Sequence, residues 1–284
     1  MDKNKQQTVN PGLYLVSTPI GNMEDITLRA LNILKKSDFI LCEDTRRSGK
    51  LLSNFNIKNK LLPYHKFNEK KITNSVINLI KKNKIVSLIS DSGTPTISDP
   101  GLILAKKCID ENLEIHPVPG PSAVTSSISV SGFNDKYLFY GFLAKKENEL
   151  KKVLKNLQNI NYSIVFFIPG LKLNFYITKF KNYFSDRKIL IAKEMTKLHE
   201  DFIRGEIKSI KIQSSNLRGE YTVVISEKNK EKINKKTIDE SVRIEIIKML
   251  QKYSHKDVVE FISKKENLPK KMVYDLCLKL KNEK

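Results

Sequence analysis

Short apolar runs alternate with amphipathic stretches along the first half of the chain, and no other feature restricts the fold as much. The runs fall at 13–17, 39–42, 61–64, 85–89 and 114–118. Between them, Ile26, Ala30, Ile33 and Leu34 form one helical stripe with Asp25 as its cap. Leu51, Leu52 and Phe55 mark a short helix, and Ile72, Val76, Leu79 and Ile80 a longer one. Further helices are expected at 102–111 and after Ala123. Alternation of this kind is the pattern of βαβ units, which build a parallel sheet. Three of the strands end in loops dense in Gly, Pro and hydroxyl residues: TPIGN at 18–22, SDSGTPTISDPG at 90–101 and PGPSA at 119–123. Right-handed crossovers place all three on one edge of the sheet, where open α/β folds bind ligands. The ordinary alternative is a strand-to-helix connection with capping Ser and Asp, which takes about 2–6 residues. The middle loop, at 90–101, is longer than that.

Residues 132–135 read as a domain junction. Beyond it, strands are expected at 137–142, 163–168, 189–193 and 221–225, with a Lys-rich helix reaching about residue 159. This describes a second, smaller α/β domain with a mixed sheet. Residues 227–236 are charged and poor in apolar side chains, as a linker is. From residue 238 the pattern is helical, with three stripes: Val242, Ile246 and Leu250; Val258, Val259 and Ile262; Met272, Val273, Leu276 and Leu280. Lys264, Lys265, Lys270 and Lys271 lie between the last two. The spacing suits a basic helix-turn-helix-like module that contacts nucleic acid; the alternative is a solvated helical tail. The resulting division is a disordered tail at 1–11, an α/β domain with a parallel sheet at 12–134, a second with a mixed sheet at 135–227, and a helical module at 237–284.

The 284 residues carry 51 Lys+Arg against 31 Asp+Glu, a net charge of +20, which favours a polyanionic partner. Only seven of the 51 are Arg, so the adjacent pair Arg46–Arg47 stands out. Three scattered cysteines and four histidines without ligand spacing argue against a disulfide scaffold or a zinc site, and fit a reducing cytoplasm. No stretch approaches the ~18 apolar residues of a membrane span, and residues 1–12 do not form a secretory signal. There is no GxxxxGK[ST], no GxGxxG after the first strand and no GxSxG. Phosphate-loop hydrolysis, ordinary dinucleotide binding and Ser-His-Asp chemistry lose their usual signatures. What remains is a pocket of backbone groups, small side chains and a few carboxylates.

The blocks STPIGNMEDITLRAL at 17–31, EDTRRSGKLL at 43–52, SDSGTPTISDPG at 90–101 and PGPSAVTSSISVSG at 119–132 resemble those of the tetrapyrrole-methylase superfamily. Weaker matches are AKEMTK at 192–197 and RGEYTVVI at 218–225. Within the superfamily the chain is most similar to the branch that methylates ribose 2'-hydroxyls of bacterial small-subunit rRNA. The resemblance covers nearly the whole chain. It implies two α/β domains with an S-adenosylmethionine cleft between them, a homodimer, and methylation of a decoding-region cytidine of 16S rRNA on the small ribosomal subunit.

Carried over by residue, Pro19 and Gly21 match the first cofactor loop. Asp91, Gly93, Thr94 and Pro95 match the main one, and Pro119, Gly120, Ser122 and Ala123 the third. Phe167, Ile168, Gly219 and Glu220 fall where the second domain contacts the donor. One block departs: family members commonly carry aromatic-Glu-x-x-His-Arg where this chain has 167–172, FIPGLK. A ribose hydroxyl is weakly acidic, so its reaction needs a base or a cationic neighbour. Glu43, Asp44 and Glu194 are the candidate bases. Arg46, Arg47 and Lys193 are candidates for phosphate contact and orientation, and Lys265, Lys270 and Lys271 for RNA contact. Asp44 capping a helix and Arg46 in a surface ion pair are the plain alternatives. Two rival functions share part of this signature: a tetrapyrrole C-methyltransferase and a non-catalytic RNA-binding assembly factor.

Overall fold

The structure is a computed structural model that describes residues 8–212, 217–228, 240–266 and 268–282. Five parallel strands form the first sheet: β1 (Gly12–Val16), β2 (Phe39–Cys42), β3 (Lys60–Pro63), β4 (Ile85–Leu88) and β5 (Ile115–Val118), in the order β3-β2-β4-β1-β5. Every second residue of a strand faces the same side, and both sides are apolar. Tyr14, Val16, Ile40 and Cys42 pack under α1 (Leu28–Lys36) and α2 (Thr45–Asn54). Leu13, Leu41, Val86 and Leu88 pack under α3 (Glu69–Lys81) and α4 (Leu102–Asp110). Burial on both faces is why these strands read as continuous apolar runs.

Local details differ from the sequence expectation. Asp25 does not cap α1; it lies in a 3-10 turn, Met23–Asp25, and the Thr27 hydroxyl caps the helix by accepting from the Ala30 amide. α2 starts at Thr45, well before the Leu51–Phe55 stripe, because Asp44 caps it. Of the tail expected at 1–11, residues 1–7 lie outside the described residues, and the Asn10 carbonyl accepts from the Tyr14 hydroxyl at 2.8 Å.

The second sheet is mixed. It contains β6 (Tyr137–Phe142), β7 (Ser163–Pro169), β8 (Lys188–Lys193), β9 (Asp201–Glu206) and β10 (Glu220–Ile225), in the order β6-β7-β10-β8-β9. Only β6 and β7 are parallel. One face carries α6 (Glu147–Leu157) and α7 (Leu173–Tyr183) over a core that includes Ile164, Phe166, Ile168 and Phe180. The opposite face is covered by α5 (Ala123–Ser129), whose Val124 joins Val165, Leu190 and Val224 in one apolar cluster. So α5, which follows the first sheet in the chain, shares its core with the second.

Residues Met1–Glu227 form one compact unit and Lys228–Lys284 another. In the second unit, α8 (Glu240–Leu250), α9 (His255–Lys265) and α10 (Lys270–Asn282) enclose Val242, Ile246, Val258, Ile262, Val273 and Cys277. The linker expected up to 236 falls, from residue 229, outside the described residues. Among the described residues no helix is long and apolar enough to cross a membrane.

Candidate functional site

The carboxyl ends of β1, β4 and β5 meet, as the crossover rule requires. The loop after β1 and the loop after β4 are joined by two backbone bonds, Thr18 N–H to Gly93 O at 2.8 Å and Gly93 N–H to Thr18 O at 3.1 Å. Thr94 extends this contact to the third loop: its hydroxyl lies 3.1 Å from that of Ser17 and donates to the Pro121 carbonyl at 3.3 Å. Ser90 folds the middle loop on itself by reaching the carbonyls of Ser92 and Gly93, both at 3.2 Å. Within that loop Thr96 and Ser98 hold φ of 71° and 69°, a region L-residues enter only when their surroundings compel it.

These loops form one wall of a cleft of ≈ 570 Å³ between the two sheets. Of the residues expected to bind the cofactor, Asp91, Gly93, Thr94, Ser122 and Ala123 line it. Pro19, Gly21, Pro95 and Gly120 do not line it; the two glycines act behind its wall. A Cβ on Gly120 would lie 2.9 Å from Ser17 Cβ, so only glycine lets the first and third loops come this close. At Gly21 an added Cβ would lie 2.5 Å from Lys197 Cγ and 2.8 Å from the Met195 carbonyl. There the first loop presses against the turn after β8, and the Asn22 amide donates to Thr196 Oγ1 at 3.0 Å.

The opposite wall comes from the second sheet: Phe142, Phe167, Ala192, Glu194, Gly219, Glu220 and Thr222. Ile168 is not part of it. The period of a strand is two residues, so Phe167 faces the cleft and Ile168 is buried on the reverse side of β7 with the α6–α7 core. A bulge between Phe139 and Gly141 carries β6 against the middle loop, where a Cβ on Gly141 would sit 3.0 Å from Ser98 Oγ.

The segment after β2 supplies the charged groups, and it separates the candidates. The Asp44 carboxylate accepts from the Arg46 amide at 2.9 Å, from Arg46 Nε at 3.1 Å and from Nη2 at 2.8 Å. This holds its pKa far below the usual carboxylate range. Neither Asp44 nor Arg46 lines the cleft, so the plain alternative, a cap with a surface ion pair, describes both in this conformation. Glu43, one residue earlier, does face the cleft. Burial, with Asp99 and Asp91 nearby, pushes its pKa up to about 7 against the pull of the Asp91 amide and Arg47. Arg47 also lines the cleft and pairs with Asp91 Oδ2 at 3.2 Å. Glu194 is in the lining, held by Lys197 at 3.1 Å; Lys193 is not. In the helical unit, Lys265 is committed to Glu245 at 2.6 Å, while Lys270 and Lys271 stand exposed at the start of α10.

The motif reading missed Asp99, Phe142, Lys197 and Thr222 as lining residues. Asp99 carries a pKa raised to about 6, chiefly by burial and then by Glu220 and Asp91. It sat inside the quoted SDSGTPTISDPG block without being assigned a role.

Residues 12–211 match the family model for tetrapyrrole (corrin/porphyrin) methylases. The chain belongs to that family. Among the relatives of this methylase, the ribosomal RNA small subunit methyltransferase I of Thermotoga maritima is 44% identical over 76% of this chain and 98% of its own length. The proteins of the same name from Bacillus subtilis and Neisseria meningitidis are 34% and 32% identical, over 93% and 100% of this chain and 92% and 98% of their own. In fold, this methylase resembles the methyltransferase CobJ, with a TM-score of 0.59 at 15% identity over 76% of this chain and 94% of that one. It also resembles a Thermus thermophilus uroporphyrin-III C-methyltransferase solved with S-adenosylhomocysteine, with a TM-score of 0.54 at 14% identity over 76% and 97%.

Proposed function

We propose that this methylase transfers the methyl group of S-adenosylmethionine to the ribose 2'-hydroxyl of a decoding-region cytidine in small-subunit rRNA, acting as a homodimer in the cytoplasm. The observation that carries the reading is the 44% identity over three-quarters of the chain with a relative named as a small-subunit rRNA methyltransferase; the ribose position and the cytidine rest on the resemblance of the sequence blocks. The cleft fits the donor. Its ≈ 570 Å³ lies within the roughly 300–1,000 Å³ of small-molecule sites, Gly93 lines it in a positive-φ conformation, and Gly120 lets the first and third loops close up behind its wall. When bound, the donor supplies an electrophilic methyl group on a positively charged sulfonium.

Of the candidate bases, Glu43 has the position and the proton affinity for a general base near neutral pH. Glu43 takes the ribose proton as the ribose oxygen bonds the methyl carbon and the carbon–sulfur electron pair stays on sulfur. Arg47, in the lining, and Arg46, exposed beside it, bind and orient the phosphates flanking the target. Lys270 and Lys271 add RNA affinity. Lysines in a first helical turn oppose the helix dipole, so helix stability does not account for them.

The test pairs calorimetric binding of S-adenosylmethionine with methyl transfer to small subunits, free 16S rRNA and a free tetrapyrrole. The expected result is donor binding and methylation of the RNA substrate alone. Methylation of the tetrapyrrole instead would move the protein to the rival enzyme class, and no donor binding would leave an assembly factor. Arg46→Ala should lower RNA methylation about tenfold with donor affinity unchanged; full activity of that variant would remove Arg46 from the RNA contact.

A further inference from the structure

The cleft is acidic inside a strongly basic protein. Five carboxylates line it, Glu43, Asp91, Asp99, Glu194 and Glu220, against two cations, Arg47 and Lys197. Both cations are already engaged, Arg47 by Asp91 at 3.2 Å and Lys197 by Glu194 at 3.1 Å. Glu43, Asp99 and Glu220 are left facing the same space without a cationic partner in the lining. A polyanion is drawn to the basic surface, yet this interior suits a cation.

Glu43 is the group most exposed to this imbalance. The Asp91 amide bonds its carboxylate, Asp99 and Asp91 repel its negative charge, and Arg47, the cation that attracts it, is held by Asp91. Glu194, Glu220 and Lys197 face it from the second sheet across the cleft. We propose that the cluster of carboxylates lets Glu43 hold a proton in part of the molecules when the cleft is empty, and that this proton leaves when the cleft takes a cationic sulfonium, so that binding the donor itself completes the base. A neutral thioether product carries no such charge and leaves Glu43 its proton. The proposal rests on the methyl-donor reading of the cleft. It closes the cycle without residual charge: a sulfonium and a carboxylate before transfer become a thioether and a carboxylic acid after it. With Glu43 at about 7, near half of the molecules hold the proton at pH 7 in the empty cleft.

The experiment is isothermal titration at pH 7 in two buffers of different ionisation enthalpy, once with S-adenosylmethionine and once with S-adenosylhomocysteine. The two ligands share their amino-acid group, so the difference between them isolates the sulfonium. The expected result is release of about 0.5 proton per donor bound beyond that for the thioether, falling toward zero at pH 8.5. Glu43→Gln should remove most of this difference. Asp99→Asn, which takes away one repelling charge but not the burial, should reduce it in part because more of Glu43 is then ionised beforehand. Equal proton release for the two ligands, or a difference that survives in Glu43→Gln, overturns the proposal and leaves the donor reading intact. Failure of both ligands to bind overturns the donor reading and the proposal with it.

Discussion

Arg187 is 1% exposed and ends in three backbone carbonyls: Gln158 at 2.9 Å, Ile160 at 2.6 Å and Ser226 at 3.2 Å. Two of these lie at the end of α6 and the third just past β10, so one guanidinium ties a helix terminus to the strand that carries Thr222 into the cleft. Its carbon also lies 5.1 Å from the centre of the Phe184 ring. Consider Arg187→Met, which keeps most of the stem and removes the charge. Each hydrogen bond to a charged group is worth about 1.5–3 kcal/mol, so three make a gross loss of roughly 5–9 kcal/mol. Against this, the variant no longer buries an ion, whose desolvation costs several kcal/mol. Asp186 and Glu227 attract the charge but do not restore what burial takes away, so the guanidinium pKa is lowered overall. The balance is a net loss of about 3 kcal/mol, because the Ser226 carbonyl is left buried without a partner and the part-buried Gln158 and Ile160 carbonyls lose their charged donor. For a unit of this size that is a fall of about 6–12 °C in melting temperature. Thermal unfolding by calorimetry, checked by urea titration, measures it. Arg187→Lys should fall between the two, since one ammonium cannot span three diverging acceptors. A methionine variant within 1 kcal/mol of the wild type, or more stable, would refute the claim that the guanidinium outweighs its own burial.

Methyl transfer should rise about tenfold per pH unit below pH 7 and level off above it, with Glu43 as the titrating group in the free enzyme; Glu43→Gln should be slow at every pH and lack that limb. The same raised pKa has a stability consequence: Glu43 favours the fold fully below its unfolded value near 4.5, and that contribution is lost as pH rises through about 7, so Glu43→Gln should unfold later than wild type at pH 8 but not at pH 4. Gly21→Val should cost about 1–3 kcal/mol by forcing the first loop off the 194–197 turn, and should weaken donor binding in the same titration; an unchanged affinity would detach that contact from the cleft. Lys270→Glu with Lys271→Glu should weaken RNA binding and lower the slope of log affinity against log salt by about 1–2, measured by filter binding with donor affinity as control.

The first sheet was readable because its strands are separated by helices, so each apolar run stands alone. The meeting of three distant loops then followed from handedness without any knowledge of side chains. The second sheet was less readable. The sequence does not announce α7 or β9: α7 mixes Phe175, Tyr176 and Phe180 with the half-buried Lys179 and Lys181 right after a Pro-Gly pair, and β9 is an edge strand of charged and half-buried residues, 201–206. Ile168 was misplaced for a related reason. In β7 both faces are apolar, so composition cannot say which residue of the pair looks into the cleft. Among the charged residues, Asp44 and Glu43 are one position apart and equally acidic in sequence. Only the turn into α2, which sends one to cap a helix and the other inward, tells them apart. Asp99 shows the same limit, since its raised pKa comes first from burial in the folded cleft and then from Glu220, far away in the chain.

The placement of α5 bears on how the molecule can be cut and assembled. A fragment ending near residue 122 would hold a complete parallel sheet and leave α5 with the partner fragment, where Val124 and Ile128 cover Val165, Leu190 and Val224. A fragment ending at residue 134 would instead carry α5 away with its apolar side bare. With the cut at 134, either half made alone should be prone to aggregate, and the two should regain solubility only when synthesised together. Nascent chains emerging up to residue 134 would then depend on chaperones until β10 has left the ribosome. The cleft, built where the two halves are sewn together, comes into being with the last strand of the sheet.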